Sequence, residues 1–438
     1  MVSASSFASP DKNSLSLSAN GFLPRVAVLP LCEDEASAEI LVREGDVLKE
    51  GDVVARGRGL FVHSSVPGVV RKIQHQRYSN CSQGMCAHVA LGGSFSFLGK
   101  KRLHQEWRSY DGSTIEYLLR ENGVTNTFAK NVPVFTQMKK IRGDSSSALV
   151  LRLYDDDPSR LTESFVAGKF LPEVLEGAAI LAKAFGASLC VIAFPEGEED
   201  FFRSGISEAL EKNALFPSPS DVLAVAVSVR RYPCGSMHDI VSAVRRSHKG
   251  GGVPRLGKKD LFVDSTTALN AFNAIALGMP VLTTFVHVTG DCLNSAALLN
   301  VRIGTTFRDI AEQCGGFKRR LSKIIVNGIM LGHDVASLDI PVSRGVKSVE
   351  FVPAGQVRLY DSVECVRCGN CRKICPAHLW PGDIYRAARL PLTGGPEDKI
   401  VAESSLLCSG CALCSSVCPS RLPLSQTIDF LKDSYNER

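Results

Sequence analysis

One pattern of twelve residues occurs twice near the C-terminus, as CVRCGNCRKICP at 365–376 and CSGCALCSSVCP at 408–419. Each run spaces its cysteines as CxxCxxCxxxCP, and few folds can use eight thiols packed so densely. Thiolates two residues apart on a tight loop reach three irons of one cubane, while the fourth cysteine opens another segment and the proline turns the chain. In two-cluster ferredoxins the fourth cysteine of each run ligates the other cluster. The spacing therefore predicts two [4Fe-4S] clusters, one on Cys365, Cys368, Cys371 and Cys418, the other on Cys375, Cys408, Cys411 and Cys414. Zinc also accepts thiolates, but zinc sites usually pair two CxxC units, which leaves the duplicated third CxxC and the CP unexplained. Two clusters held close by exchanged ligands make a one-electron relay, so no catalytic residue is assigned. Arg367, Arg372 and Lys373 in the first run have two readings: they raise the cluster potential by favouring its reduced form, or they form a solvated basic face.

The rest of the composition sets bounds. At ~150 residues per domain, 438 residues suggest about three domains, some of them small. Hydrophobic residues at 45% and charged residues at 22% fit a globular chain. The formal charge, 50 − 45 = +5, gives no reason to expect nucleic acid as a partner. No stretch approaches the ~20 uninterrupted apolar residues of a membrane span. GAAILAKAFGASLCVIAF, at 177–194, contains Lys183 and is expected to be a core helix running into a buried strand. The Ser-rich residues 1–20 are expected to be flexible; they lack the basic and apolar regions of a secretory signal. A cytoplasmic chain with reduced thiols follows from this, and the isolated Cys190, Cys234, Cys292 and Cys314 are expected to be small, buried or half-buried residues. His63, His238 and His333 have no ligand spacing and are left unassigned.

The fold class is multidomain α/β. Residues 21–100 show Val-rich runs punctuated by Gly45-Asp46, Gly51-Asp52 and Pro67-Gly68, as in a lipoyl-like barrel-sandwich. The turn Gly57-Arg58-Gly59 stands where such carriers present a lysine, so the module is read as structural. Residues 101–260 alternate apolar runs with amphipathic segments, which predicts β-α-β units around a mainly parallel sheet. Ser247–Gly252, SHKGGG, reads as a flexible loop. Residues 261–355 are read as a small β-grasp-like unit and 356–438 as the ferredoxin-type domain with short helices.

The barrel-sandwich with HSSVPGVVRKI, the VTGD…VRIGTTFRDIAEQCGGF unit and the paired clusters ending CPSRLPLSQTI resemble, in that order, the RnfC family. The resemblance runs from Gly21 to Lys432. It implies an α/β core similar to the flavoprotein subunit of respiratory complex I, an SLBB β-grasp unit and a bacterial-type ferredoxin domain. It also implies a peripheral, redox-driven translocase subunit on the cytoplasmic face of the bacterial inner membrane. Its partners would be the membrane subunits of an Rnf-type complex and a redox partner protein.

The family exchanges electrons with nicotinamide through FMN, using a GxGGAGFPT loop and an acidic ECEP-like turn. Here the loop reads LRENGVTNTFAKNVPVFTQM with one glycine, Gly123, and the turn reads LYDDDP. Gly123, Asp155 and Asp157 are the positions the resemblance points to for FMN or NAD. Their other reading is structural, with Asp155 to Asp157 in a solvated strand-to-helix turn. Phe128 and Lys130 would occupy space the cofactor needs, although Thr125, Thr127 and Lys130 also offer phosphate-binding groups. Two alternatives to the relay stay open here: a soluble flavin-dependent reductase similar to cobalamin reductase, and an interaction scaffold whose clusters only stabilise the tail.

Overall fold

Four short apolar runs build the central sheet of the computed structural model, in the order Val222–Val227, Leu189–Pro195, Ala148–Arg152, Leu261–Asp264, all parallel. The structure describes residues 2–3, 18–32, 38–142, 147–211, 215–216, 221–247, 256–356, 361–389 and 396–436. Parallel neighbours require helical crossovers, and the amphipathic segments supply them. Helix Leu171–Phe185 has Pro172 in its first turn and ends on Gly186, at φ 75. It is apolar almost all round because the sheet covers one side and helix Ser265–Ala276 the other. A Cβ on Gly177 would stand 1.9 Å from the carbonyl oxygen of Ala268, so these two helix backbones meet directly. This is the core helix and buried strand expected of residues 177–194.

The expected start of the third unit at 261 is corrected. Strand Leu261–Asp264 is buried at every residue and completes the parallel sheet beside Ala148–Arg152. Helix Ser265–Ala276 packs under the same sheet. A strand of three apolar residues and an aspartate has no alternation to show which sheet it joins, so the sequence did not reveal its partner.

Residues 26–91 form a sandwich. Four strands pair in the order Val26–Pro30, Gln83–Leu91, Gly68–Arg77, Val47–Leu48, and three in the order Glu39–Ile40, Val53–Arg56, Phe61–His63. Leu29, Val54, Val62, Val70 and Val89 fill the space between them. The hairpin closes through Gly57 N–H to the Leu60 carbonyl at 2.8 Å, with Arg58 in the turn.

The remaining mixed sheet runs Ser18–Asn20, Ala297–Arg302, Thr283–Thr289, Ser348–Pro353, Leu321–Val326, His333–Val335. It buries Phe307 and Ile310 of helix Phe307–Gln313, whose start is a capping box between Thr306 and Asp309. Part of the segment expected to be flexible is therefore strand: Ser18–Asn20 pairs with Leu298–Asn300, and Val2–Ser3 with Arg231–Tyr232. Residues 1 and 4–17 lie outside the described residues, as do 248–252 of the expected SHKGGG loop.

The tail is helical, comprising Asn370–Ile374, Pro381–Arg389, Pro396–Glu403, Leu413–Ser416 and Leu424–Asn436. Its core is small: Leu379, Ile384, Leu422, Leu424 and Ile428, with cysteines packed against it. Among the described residues no helix is long and apolar enough to cross a membrane.

Candidate cluster site

The two cysteine runs are offset by 408 − 365 = 43 residues, and the backbone repeats with the same offset. Left-handed residues occur at Arg367 (φ 53), Gly369 (φ 75) and His378 (φ 54), and again at Gly410 (φ 74), Ala412 (φ 57) and Arg421 (φ 53). Four of the six are not glycine, at a cost of about 1–2 kcal/mol each. A chain keeps such a cost twice, at matching positions, where the loop must curl round something and turn its amides inward. Gly410 N–H approaches Cys408 Sγ at 3.4 Å, and Leu379 N–H approaches Cys375 Sγ at the same distance.

The cysteines gather across the runs. Cys375 of the first run joins Cys408, Cys411 and Cys414 of the second around one cavity, closed by Leu379, Pro381 and Ile428. Cys371 lies within electrostatic reach of Cys368 and of Cys418 from the second run. The start of the first run is tied beside Cys418: Val363 N–H donates to the Ser420 carbonyl at 3.1 Å, and Ser420 Oγ donates to the Glu364 carbonyl at 2.9 Å.

The environments of the two groups differ. Cys411 and Cys414 are buried, and Cys375 and Cys408 half-buried; Cys365 and Cys368 are exposed, and Cys371 and Cys418 half-buried. Burial pushes the Cys414 thiol up to about 12, with Cys408 and Cys411 adding to the effect. Burial also raises Cys408, Cys411 and Cys371, while backbone amides oppose it: Gly410 at Cys408, Leu413 at Cys411, Gly382 and Arg372 at Cys371. Iron that binds these thiols as thiolates must therefore displace their protons. Among the described residues no three His, Cys, Asp or Glu side chains converge to grip a single metal ion. A cubane does not ask for that, since each of its irons takes one thiolate. Donors that are all sulfur, on loops turning amides inward, fit an iron-sulfur cluster. The inner group is anchored to the α/β core by Tyr232, whose hydroxyl donates to the Cys411 carbonyl at 2.8 Å.

The flavin positions are different. Gly123 has φ +73, and a Cβ there would lie 2.7 Å from the Phe61 carbonyl oxygen, so this glycine serves the approach of the sandwich to the core. Beyond it, Thr125–Asn126 pairs with Val132–Pro133 as a small hairpin. Thr127 N–H donates to Thr267 Oγ1 at 3.0 Å and Thr127 Oγ1 to Asp264 Oδ2 at 2.9 Å, while Phe128 N–H donates to Asn126 Oδ1 at 3.0 Å. The Phe128 ring lies under the buried Arg152 guanidinium, 4.3 Å from its centroid. Lys130 is at the surface, paired with Asp433 at 2.5 Å.

The N-terminus of helix Ser265–Ala276, which could have received a phosphate, already holds two carboxylates. Asp264 accepts from Thr267 N–H at 2.9 Å, and Glu163 from Thr266 N–H at 2.9 Å. Lys347 sits between them, 2.5 Å from Asp264 Oδ2 and 3.0 Å from Glu163 Oε1, and all three side chains are buried. Against the burial that would raise it, Lys347 and Arg152 hold the Asp264 carboxyl well below its usual range. Burial and the neighbouring Asp264 push Glu163 up.

The acidic turn is also committed. Asp155 accepts from Glu163 N–H at 3.1 Å and Ser164 N–H at 3.0 Å; Asp156 pairs with Arg152 at 3.2 Å and with Arg160. Asp157 accepts from Met330 and Leu331 N–H, both at 2.9 Å. The expected strand-to-helix turn is present, but it is not solvated: Asp157 is fully buried because it binds the neighbouring sheet's hairpin. The residues here do not fit a flavin phosphate. Neither Lys347, Glu163 nor Asp264 was singled out from the sequence; an Asp-Ser-Thr-Thr helix cap at 264–267 is the local pattern that could have pointed to Asp264. Cys190, Cys234, Cys292 and Cys314 are all buried, as expected.

Comparison with known proteins bears on this arrangement. A family model described as a 4Fe-4S dicluster domain matches residues 361–422, which contain all eight cysteines. The chain is 21% identical to the C subunit of the Na(+)-translocating ferredoxin:NAD(+) oxidoreductase complex of Acetobacterium woodii, over 83% of this chain and 81% of that protein. It is 24% identical to the proton-translocating counterpart of Clostridium ljungdahlii, over 80% and 77%. Over about four-fifths of its length the chain is thus similar to C subunits of ion-translocating ferredoxin:NAD(+) oxidoreductase complexes. The C subunit of the ion-translocating oxidoreductase complex of Erwinia tasmaniensis is 27% identical over 87% of this chain, which spans 46% of that protein. Among solved structures, an H2-reduced NAD+-reducing [NiFe]-hydrogenase aligns at TM-score 0.49 and 13% identity, over 77% of this chain and 64% of that one.

Proposed function

We propose that this chain is the iron-sulfur subunit of an ion-translocating redox complex, relaying electrons through two [4Fe-4S] centres. Cys365, Cys368, Cys371 and Cys418 would hold the outer centre, and Cys375, Cys408, Cys411 and Cys414 the inner one. The observation that carries the reading is the crossing of ligands: Cys375 stands with the second run and Cys418 with the first. When bound, such centres supply one-electron transfer at potentials set by hydrogen bonds, charge and exposure. The chain's own contribution is to orient the thiols on left-handed loops, to aim amides at sulfur, and to exclude water from the inner set while leaving the outer one open.

The filled flavin position supports a route in which electrons enter from a partner protein rather than from NADH bound to this chain. It also weighs against the soluble flavin-dependent reductase. The core remains, in this reading, a flavin-free descendant of a complex I-like flavoprotein fold, flanked by lipoyl-like and SLBB modules that would meet the membrane subunits. Attachment would be peripheral, at the cytoplasmic face of the bacterial inner membrane.

Anaerobic purification with iron, sulfide and flavin analysis tests the reading. It expects about 8 irons and about 8 sulfides per chain, as two cubanes require, with flavin far below one equivalent. Zinc in their place, or far less iron after reconstitution, would end it.

A further inference from the structure

Two runs built on one repeat allow an internal comparison. Helix Leu424–Asn436 follows the second run as helix Pro381–Arg389 follows the first, and they begin at the offset of the cysteines, 424 − 381 = 43 residues. Position 432 of the second therefore corresponds to 389 of the first, and both carry a cation. Their destinations differ. The Arg389 guanidinium is exposed and turns back along its own helix, donating to the Tyr385 hydroxyl at 2.8 Å. The Lys432 ammonium belongs to a half-buried side chain and donates to the Cys408 carbonyl at 2.8 Å. Lys432 lies one turn beyond Ile428, which closes the cavity of the inner thiols, so the two side chains share a helix face. Tyr232, 1% exposed, holds the Cys411 carbonyl of the same loop. Other charges stand nearby. Asp429 is within electrostatic reach of Cys408 and Lys432, and Lys130 and Asp433 pair at 2.5 Å beside it. Asp239 is within reach of Cys411 but accepts from the Ser236 amide and hydroxyl. Of these charged groups Lys432 is the one bonded to the loop that bears the thiols.

We infer that Lys432 is a positioning residue of the electron relay: its ammonium, seconded by the Tyr232 hydroxyl, stabilises the inner centre in its reduced form and so raises its potential. The inference rests on the cluster reading and adds the residue that keeps the buried half of the relay reducible. An electron passing from the outer centre to the inner one leaves the first oxidised by one and adds one negative charge to the second, with no bond made or broken. Water solvates that charge at the exposed outer thiols. At the inner thiols burial disfavours it. There a fixed cation and a hydroxyl, both bonded to the ligand loop, take the place of water.

Redox titration of the anaerobic holoprotein, followed by electron paramagnetic resonance, tests this. A soluble dysprosium chelate separates the two signals, because it relaxes the exposed outer centre more strongly. Lys432→Met is expected to lower the reduced-to-oxidised ratio of the inner centre about tenfold at a fixed poise, a shift of about 59 mV for one electron. Lys432→Arg should restore most of that ratio, and Tyr232→Phe should lower it by a smaller factor. Iron content and the midpoint of the outer centre should stay at their wild-type values in the Lys432 variants. An unmoved inner midpoint in Lys432→Met at full iron content overturns the inference. An equal shift of both centres also overturns it, by reducing Lys432 to general surface charge. Should Lys432→Met lose iron, Lys432→Gln, which keeps a donor without the charge, takes its place under the same expectation. Wild-type protein without iron would instead sink the cluster reading itself.

Discussion

The tail and the α/β core are the two regions in which the RnfC resemblance places cofactors, and they have fared differently. In the tail the chemistry-bearing side chains are turned inward on strained loops with their sulfur atoms available. In the core Thr127, Asp155 and Asp157 are satisfied within the protein, and a lysine with two carboxylates occupies the helix N-terminus. A cofactor site leaves polar groups waiting for a partner, and in the core most of those groups are already used. The contrast predicts that the tail depends on what it binds and the core does not.

The largest expected effect is on the tail. Its own core is a handful of side chains, several of them packed on cysteines, and a domain of that size usually needs a metal or disulfides to persist. Chelating iron from reduced holoprotein should make residues 361–436 rapidly cleavable by a nonspecific protease, while a fragment carrying the sandwich, core and mixed sheet resists. Equal resistance of tail and core after iron loss would break the comparison. Cys414→Ser, at a buried position, should lower iron content more than Cys365→Ser at the exposed edge.

Next in size is the buried ion network. Lys347→Met leaves Asp264 and Glu163 facing each other without the ammonium that bridges them, and removing one partner of a buried ion pair costs about 3–5 kcal/mol. Chemical denaturation followed by core fluorescence should show that loss. If Lys347→Met instead recruits a flavin, the network is a plug over a working site, and the contrast between the regions becomes one of degree.

Third comes acid sensitivity, which belongs to the scaffold. Burial, followed by Arg344, lowers His63 to about 3, and burial lowers His287 to about 4. Both are neutral when folded, but in the unfolded chain they would titrate near 6.5. Between those values the unfolded chain binds more protons, so stability falls as pH drops below 6.5, by up to ~3 kcal/mol per pH unit for the two groups together. Denaturation midpoints at pH 7 and pH 5 measure it. His63→Gln with His287→Gln should make the two midpoints converge, and an undiminished gap would assign the sensitivity elsewhere.

What could be read from the sequence follows the same division. The ligand pattern is local in spacing and repeated, so the thiols and the helices between them were legible, as was the parallel sheet from its alternating segments. Lys347 meets Asp264 across 83 residues and Glu163 across 184, and no periodicity marks such a meeting. For the same reason Asp157 was expected in solvent: its acceptor role is fixed by the Met330 and Leu331 amides of another sheet. The fourfold strand run at Leu261–Asp264 looked like the start of a new unit because its partner strand lies more than a hundred residues earlier. The exposure difference between the two cysteine groups was invisible as well, since it depends on Leu379, Pro381 and Ile428 closing round one of them and on the distant Tyr232 anchoring it.

The smallest effect separates two explanations of a single glycine. Gly123 sits in the expected flavin loop at φ +73, and Gly186 caps helix Leu171–Phe185 at φ +75, so alanine meets almost the same backbone cost at both. Their surroundings differ: a Cβ at Gly186 meets nothing within 4 Å, whereas at Gly123 it meets the Phe61 carbonyl oxygen at 2.7 Å. Gly186→Ala should therefore cost about 1 kcal/mol, the left-handed penalty alone. Gly123→Ala should cost about 1 kcal/mol more, because the sandwich must shift away from the core. The difference between the two denaturation midpoints isolates the close approach, with iron content as a control that should not move. If both variants lose the same stability, the contact with Phe61 is slack, and Gly123 would be left without the structural role that now accounts for it.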